Sequence, residues 1–225
     1  ADAATVLVPV MALLYIGGGL AVILGNGNRL PEALALMVRC AFAPEAALGG
    51  ALGTVTRRSA IRWGVARGVF SNEAGLGSAA ITAACADTED PVKQGLISMT
   101  GVFFDTMVIC AVTGLAICCS GTLGAADGNG RPLTGAALTL RAFETVLGPL
   151  APWLIGVALG LFAFTSVLGC AVQAETTASY LLGPEAVRPC RVLYGLAVFA
   201  GAVIPMATVL QLADLANALM AFPNL

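Results

Sequence analysis

The sequence predicts an all-α integral membrane protein, and three observations lead to that prediction. The chain has 225 residues, of which 58% are hydrophobic and only 11% charged, whereas a soluble domain carries about 25% charged residues. Several uncharged runs reach the roughly 20 apolar residues that cross a bilayer as a helix. The clearest lie between Asp2 and Arg29, Glu144 and Glu175, and Arg191 and Asp214. These runs do not alternate between apolar and polar residues, as the strands of a membrane barrel would.

The composition also excludes several functions. The net charge of −2 gives no indication of nucleic-acid binding. The absence of histidine removes the commonest metal ligand and the commonest general base. No base is evident for Ser71, so nucleophilic catalysis has little support. We therefore expect that the protein is not an enzyme and that it has neither catalytic residues nor a cofactor. The seven cysteines show no CxxC spacing and lie mostly in apolar runs, so we interpret them as buried free thiols.

We interpret residues 1–225 as a single membrane domain. Pro31 is placed to open a short helix after the first span, and the polar turns "DTEDPVK" and "GPEAVRPCR" separate later spans. A polar segment at 120–148 holds a short helix at 134–147. Both ends of the sequence lie at apolar runs, so we expect the domain to be incomplete. The predicted spans are about 4–24, 56–86 (broken near 70–75), 95–119, 150–182, 191–205 and 207–225.

The break near 70–75 is the most informative feature. The stretch "GVFSNEAGLGS" at 68–78 places polar residues and glycines between two half-length helical pieces. Backbone that leaves a helix at membrane depth must be buried in protein or line a cavity. The carbonyls that end the first half suit a cation, and the N–H groups that begin the second suit an anion. Such broken helices place solute and ion sites in secondary transporters. The alternative is an ordinary loop in which Glu73 faces the helix dipole.

Several stretches resemble one known family. "RGVFSNEAGLGSAA", followed by "DPVKQGLISMTGVFFDTMVIC", closely resembles the signature region of the alanine or glycine:cation (sodium:alanine) symporters, and "GLFAFTSVLG" and "DLANALMAFPNL" also match. The resemblance implies a leucine-transporter-type fold of two inverted five-helix repeats in a chain about twice this long. By that resemblance the sequence corresponds to the C-terminal half, a helical bundle in which the broken helix, about 56–86, is the sixth helix.

The resemblance implies roles for residues at the break. Phe70 and Ser71 would line the pocket for the solute, with Phe70 as an aromatic wall, although Phe70 as simple core packing is the alternative. The remaining residues would support the break or face an ion path: Asn72, Glu73, Gly75 and Gly77.

The resemblance also implies roles along the span at 150–182. Thr165 and Ser166 correspond to the family's sodium position, and sodium prefers oxygen ligands, as other hard cations do. Alternatively, both hydroxyls bond back to a carbonyl one turn earlier. Cys170 shares a helix face with Ser166, and both would line the solute pocket. Asp105, the only charge of the span at 95–119, either pairs with a neighbouring helix or faces the ion path.

The sequence departs from the family pattern around Cys170. The family usually has a tryptophan there, followed by a Glu-Lys pair, whereas this chain reads "CAVQAET". A thiol in place of an indole widens the pocket, so a solute bulkier than alanine or glycine becomes possible. Glu175 retains an acidic residue near the position of the family's Glu-Lys pair, but the lysine of that pair is missing.

These observations predict a multi-pass protein of the cell (inner) membrane that imports a small neutral amino acid with sodium by alternating access. Alanine or glycine is the solute that the resemblance implies, and sodium is the coupling ion. The expected partners are the solute, sodium, the lipid bilayer and the N-terminal half of a longer transporter. The alternatives are a truncated, non-transporting remnant, a structural membrane subunit and a channel.

Overall fold

The computed structural model describes residues 2–42, 57–73, 75–84, 86–128 and 130–224. Within these ranges the chain is helical, and an isolated β-bridge between Ala126 and Pro132 is the only extended pairing. The α-helices of the described residues are α1 (Asp2–Gly25), α2 (Leu30–Phe42), α3 (Arg57–Asn72), α4 (Ser78–Ala84), α5 (Pro91–Val102), α6 (Cys110–Ser120), α7 (Gly135–Leu147), α8 (Ala151–Leu182), α9 (Val187–Val203) and α10 (Met206–Ala221).

Four helical segments in the described part of the chain are long and apolar enough to cross a membrane. They are Leu7–Gly25, Pro91–Ser120, Gly135–Leu182 and Pro184–Val203, and α10 is a shorter apolar helix. The prediction of an all-α, multi-pass integral membrane protein is therefore confirmed.

The span at 91–120 differs from the prediction at its start and in its middle. It begins at Pro91 because the Asp90 carboxylate accepts hydrogen bonds from the backbone N–H groups of Val92 (2.9 Å) and Lys93 (3.3 Å). A proline at the first turn suits such a cap. A π-helical segment, Phe103–Ile109, then joins α5 to α6 and contains Asp105. No pattern in the sequence predicts this segment, and π-helical insertions are frequent at functional sites.

The interpretation of the cysteines as buried thiols is wrong for most of those described. Six described cysteines are free, but only Cys119 is buried, while Cys110 and Cys170 are exposed. An apolar neighbourhood in the sequence does not predict burial here, because an apolar position on a membrane helix can face lipid as well as protein. Cys85 lies outside the described residues.

The chain divides into two compact units. The first unit comprises Ala1–Val65 and Phe104–Phe162. Its core is a cluster of apolar side chains from α1, α6, α7 and the start of α8, with Phe143 fully buried at 0% exposure. Gly19 lies so close to Val112 that a Cβ at this position would clash. The Tyr15 hydroxyl forms a hydrogen bond of 2.8 Å with Thr113 Oγ1 inside the same cluster.

The second unit comprises Ala66–Phe103 and Ala163–Leu225. Among its described residues only Leu76 and Ser78 are buried. Its helices are connected instead by polar contacts. Gln173 Nε2 on α8 donates to Thr82 Oγ1 on α4 (2.9 Å), and the Tyr194 hydroxyl on α9 donates to the carbonyl of Val167 on α8 (3.0 Å).

Candidate functional site

The break lies between α3, which ends at Asn72, and α4, which begins at Ser78. This is slightly later than the predicted position near 70–75. Three described residues in the break have left-handed backbone: Glu73 (φ 54°), Gly75 (φ 81°) and Gly77 (φ 83°). Glycine adopts this conformation at little steric cost, whereas a left-handed glutamate persists only where its surroundings compensate the strain. The positive φ of Glu73, the residue after Asn72, stops α3 at Asn72.

The Glu73 side chain supplies that compensation. Ser78 Oγ donates a hydrogen bond of 2.7 Å to Glu73 Oε2. The Leu76 N–H donates to the Glu73 carbonyl (3.2 Å), and the Glu73 N–H donates to the Val69 carbonyl (3.1 Å). Ser78 is buried and is the first residue of α4. The carboxylate of Glu73 therefore connects the two half-helices through one charge-assisted bond.

The next-to-last turn of α3 carries a second polar group, one turn before the break. The Arg67 guanidinium forms an ion pair with the Asp214 carboxylate on α10. The same guanidinium lies over the ring of Phe70, with Cζ 5.4 Å from the ring centroid. Phe70 is 43% exposed, so it is not a core residue of the second unit. The geometry groups Arg67, Phe70 and Asp214 at the end of α3.

Part of α8 carries the other predicted site residues. Thr165 is half-buried, and Ser166 and Cys170 are exposed. The charge of the Glu73 carboxylate reaches the position of Cys170, and the Tyr194 hydroxyl on α9 donates to the Val167 carbonyl, three residues before Cys170 on α8. The second unit therefore places one predicted pocket residue of α8 within electrostatic range of the break.

The contacts given above do not include three further predicted residues. The backbone of Ser71 lies in α3, but its side chain is outside the described residues. Asn72 is half-buried at the end of α3. Asp105 lies in the π-helical segment, which the first unit contains from residue 104 onward.

Sequence reasoning missed two charged residues of the second unit, Arg67 and Asp214. Arg67 precedes the quoted stretch at 68–78 directly, and Asp214 is the only charge after Arg191. Because a lone charge in a membrane helix is expected to have a partner, Asp214 could have been found by the rule applied to Asp105. Glu175, predicted to lack a partner lysine, forms a two-bond pair with Arg191 instead: Nε to Oε1 is 2.7 Å and Nη2 to Oε2 is 2.8 Å.

Comparison with known proteins identifies the chain. The model of the sodium:alanine symporter family matches residues 1–225. An uncharacterized transporter of Haemophilus influenzae is 45% identical, over 100% of this chain and 48% of the relative. The sodium/alanine symporter AgcS of Methanococcus maripaludis is 41% identical, over 98% and 47%. The probable sodium/glutamine symporter GlnT of Bacillus subtilis is 40% identical, over 97% and 44%.

The chain spans about half the length of the curated relatives it matches, with 48% of one and 47% of another covered. The family model nevertheless matches along the whole of this chain, through both units and the break. The resemblance in the signature stretches is therefore confirmed: the chain belongs to the sodium:alanine symporter family.

Proposed function

We propose that this protein takes part in secondary active transport of a small neutral amino acid into the cell, driven by sodium and proceeding by alternating access. One observation carries the proposal: the family model covers the entire chain, and the signature stretch coincides with the helix break at residues 73–77. The names of two relatives, a sodium/alanine and a probable sodium/glutamine symporter, support it further. The membrane would be the cell (inner) membrane.

The proposed solute pocket lies at the end of α3 and on α8. Phe70 provides an apolar wall, Ser71 lines the pocket, and Ser166 and Cys170 face it from α8. The free carbonyls at the end of α3 receive the ammonium group, since a helix C-terminus carries partial negative charge. Support comes from the exposure of Phe70 and from the proximity of Cys170 to Glu73.

The proposed sodium position uses the adjacent hydroxyls of Thr165 and Ser166, since a hard cation prefers oxygen ligands.

The residues at the break hold it open for solute and ion: Asn72, Glu73, Gly75 and Gly77. The 2.7 Å hydrogen bond from Ser78 to Glu73 favours a structural role for Glu73 over direct contact with the solute. Asp105, within its π-helical segment, is proposed to face the ion path.

The size of the solute is the least constrained part of the proposal. Cys170 takes the position where the family usually has tryptophan, and the smaller side chain leaves room for more than a methyl group. Relatives named for alanine and for glutamine have similar identities to this chain, 41% and 40%. We therefore propose a neutral amino acid between alanine and glutamine in size.

Uptake into proteoliposomes tests the proposal. The complete reading frame that contains this chain is purified, reconstituted and assayed with radiolabelled alanine, glycine and glutamine under an inward sodium gradient. We expect uptake that disappears when potassium replaces sodium on both sides. Thr165→Val with Ser166→Ala should raise the sodium concentration for half-maximal uptake by about tenfold, the effect of losing about 1.4 kcal/mol of ion binding. Currents without dependence on the solute would indicate a channel instead, and no uptake of any of the three would overturn the proposal.

A further inference from the structure

The second unit contains an ion pair whose position is unusual. Asp214 lies in the apolar helix α10 and is the only charged residue between Arg191 and the end of the chain, whereas Arg67 lies in α3, which carries three further arginines. Each side chain is about one third exposed, at 34% and 37%. A charge on an apolar membrane helix is costly and is usually kept for a function. The pair connects the next-to-last turn of α3 to α10.

The pair also fixes an aromatic ring. The Arg67 guanidinium lies 5.4 Å from the centroid of the Phe70 ring, within the range of a cation–π contact. Positions 67 and 70 are three apart, so both side chains share one face of α3. The Asp214 carboxylate binds the guanidinium through the ion pair, and the guanidinium contacts the ring through the cation–π interaction. Phe70 is therefore positioned by a residue 144 places further along the chain, on a different helix.

We propose that the Arg67–Asp214 pair is a latch that positions Phe70 beside the break and thereby controls access to the pocket. This inference rests on the function proposed above, because it takes Phe70 as a wall of the solute pocket. Arg67 and Asp214 are positioning residues, since neither needs to touch the solute. While the pair is intact, the ring is held close to the end of α3. When the pair separates, the ring turns freely and the break becomes accessible.

The second unit offers a matched control for this latch. Glu175 on α8 and Arg191 on α9 also form a carboxylate–guanidinium pair between two helices, with two bonds of 2.7 and 2.8 Å. This pair has no recorded contact with an aromatic ring. Glu175→Gln removes an interhelical ion pair without touching the latch, so it separates a general loss of stability from a specific loss of the latch.

Cys170 offers a native reporter of access. Its thiol is exposed and lies within electrostatic range of Glu73 in the break. In a protein whose other cysteines are replaced by alanine, the rate of alkylation by a membrane-impermeant maleimide measures how often the pocket opens to water. The measurement needs no solute, so it remains valid even if transport of the three test amino acids is absent.

The experiment uses the complete reading frame in proteoliposomes with Cys170 as its only thiol. We expect Asp214→Asn and Arg67→Gln to increase the rate of Cys170 alkylation by about fivefold and to raise KM for uptake by a similar factor. A fivefold change corresponds to the loss of a positioning contact of about 1 kcal/mol. Glu175→Gln should leave both within about twofold. The exchanged pair, Arg67→Asp with Asp214→Arg, should slow alkylation again.

Phe70→Leu provides a second test that keeps the ion pair. It should accelerate alkylation as much as Asp214→Asn, and the double variant should be no faster than either single one. If the pair only stabilises the fold, Phe70→Leu will leave the rate at the wild-type value and the latch is refuted. Equal acceleration by Glu175→Gln would refute it as well. Wild-type uptake together with unchanged alkylation in all latch variants would remove this inference and leave the proposed function intact.

Discussion

The two units of the molecule are stabilised by different kinds of contact. In the first unit, side chains from four helices form one apolar cluster that includes Tyr15, Val22, Ala116 and Phe143. In the second unit, α5, α9 and α10 contain no buried residue, and its helices meet through hydrogen bonds and ion pairs. Tightly packed interiors resist change, whereas regions with few packing contacts open at lower free energy. The proposed pocket and the break lie in the unit that packing constrains less.

The membrane explains why this difference is possible. Lipid tails are as apolar as leucine, so exposed apolar helices of the second unit gain little by packing against each other. Directional polar contacts can then decide which helices meet and where. A unit held in this way can change its helix contacts without disrupting a core, which is what alternating access requires of the elements around a solute. The predictions below test the contrast between the units, beginning with the largest expected effect.

Phe143→Ala should have the largest effect on stability, because Phe143 is fully buried at 0% exposure and its ring lies 5.7 Å from that of Tyr15. We expect the free energy of unfolding in detergent to fall by about 3 kcal/mol, the low end for such substitutions, since the loss is one of packing and cavity formation. Phe199→Ala on α9, where the ring is 71% exposed, should change it by less than about 0.5 kcal/mol. Unfolding by SDS titration followed by circular dichroism measures both. Similar losses in the two variants would contradict the contrast between the units.

Ser78→Ala should have an intermediate and local effect in the second unit. It removes the 2.7 Å bond to Glu73 and leaves the carboxylate without its partner across the break. A hydrogen bond to a charged group contributes about 1.5–3 kcal/mol, and we expect the lower value because the break is partly open. Hydrogen exchange of the α4 amides should become about tenfold faster, as that loss implies.

The control for this prediction is Ser98→Ala on α5, where the side chain is exposed. It should leave exchange in α4 at the wild-type rate, since alanine also favours helix. Exchange that accelerates equally in α1 and α4 after Ser78→Ala would mean that the bond supports global folding, and the local role of Glu73 would have to be given up.

The sequence allowed the break and its neighbourhood to be predicted, because turn chemistry is local. Glycines that need positive φ lie at 75 and 77. The cap at Asp90 with Pro91 is also a short-range signal, but the predicted span begins at 95 and does not use it. Helix α9, predicted from 191, begins at Val187 instead, since helix ends are set by individual caps and not by the apolar run.

Contacts between helices could not be predicted in the same way. A helix that is apolar all round has no polar face to show which side packs, so the exposure of Cys170 on α8 could not be read from periodicity. The pairing of Arg67 with Asp214 joins positions 147 apart. A single sequence identifies Asp214 as an unusual charge but does not say which other residue it meets.

The smallest expected effect comes from a matched pair of tyrosines, one in each unit. Tyr15→Phe removes the bond to Thr113, whose hydroxyl keeps its own 2.8 Å bond to the Ile109 carbonyl, so no polar group is left unsatisfied. Tyr194→Phe removes the 3.0 Å bond to the Val167 carbonyl. Each should cost about 0.6 kcal/mol, the average for hydrogen bonds between membrane helices. The variants should differ in function: the Tyr194 hydroxyl connects α9 to Val167, three residues before Cys170 on α8, so its loss should change the rate of Cys170 alkylation, whereas Tyr15→Phe should not. If Tyr15→Phe changes the alkylation rate as much as Tyr194→Phe does, the first unit is not more rigid than the second. The contrast between the two units would then fail for function, even if the free energies of unfolding of the two variants agree with the prediction.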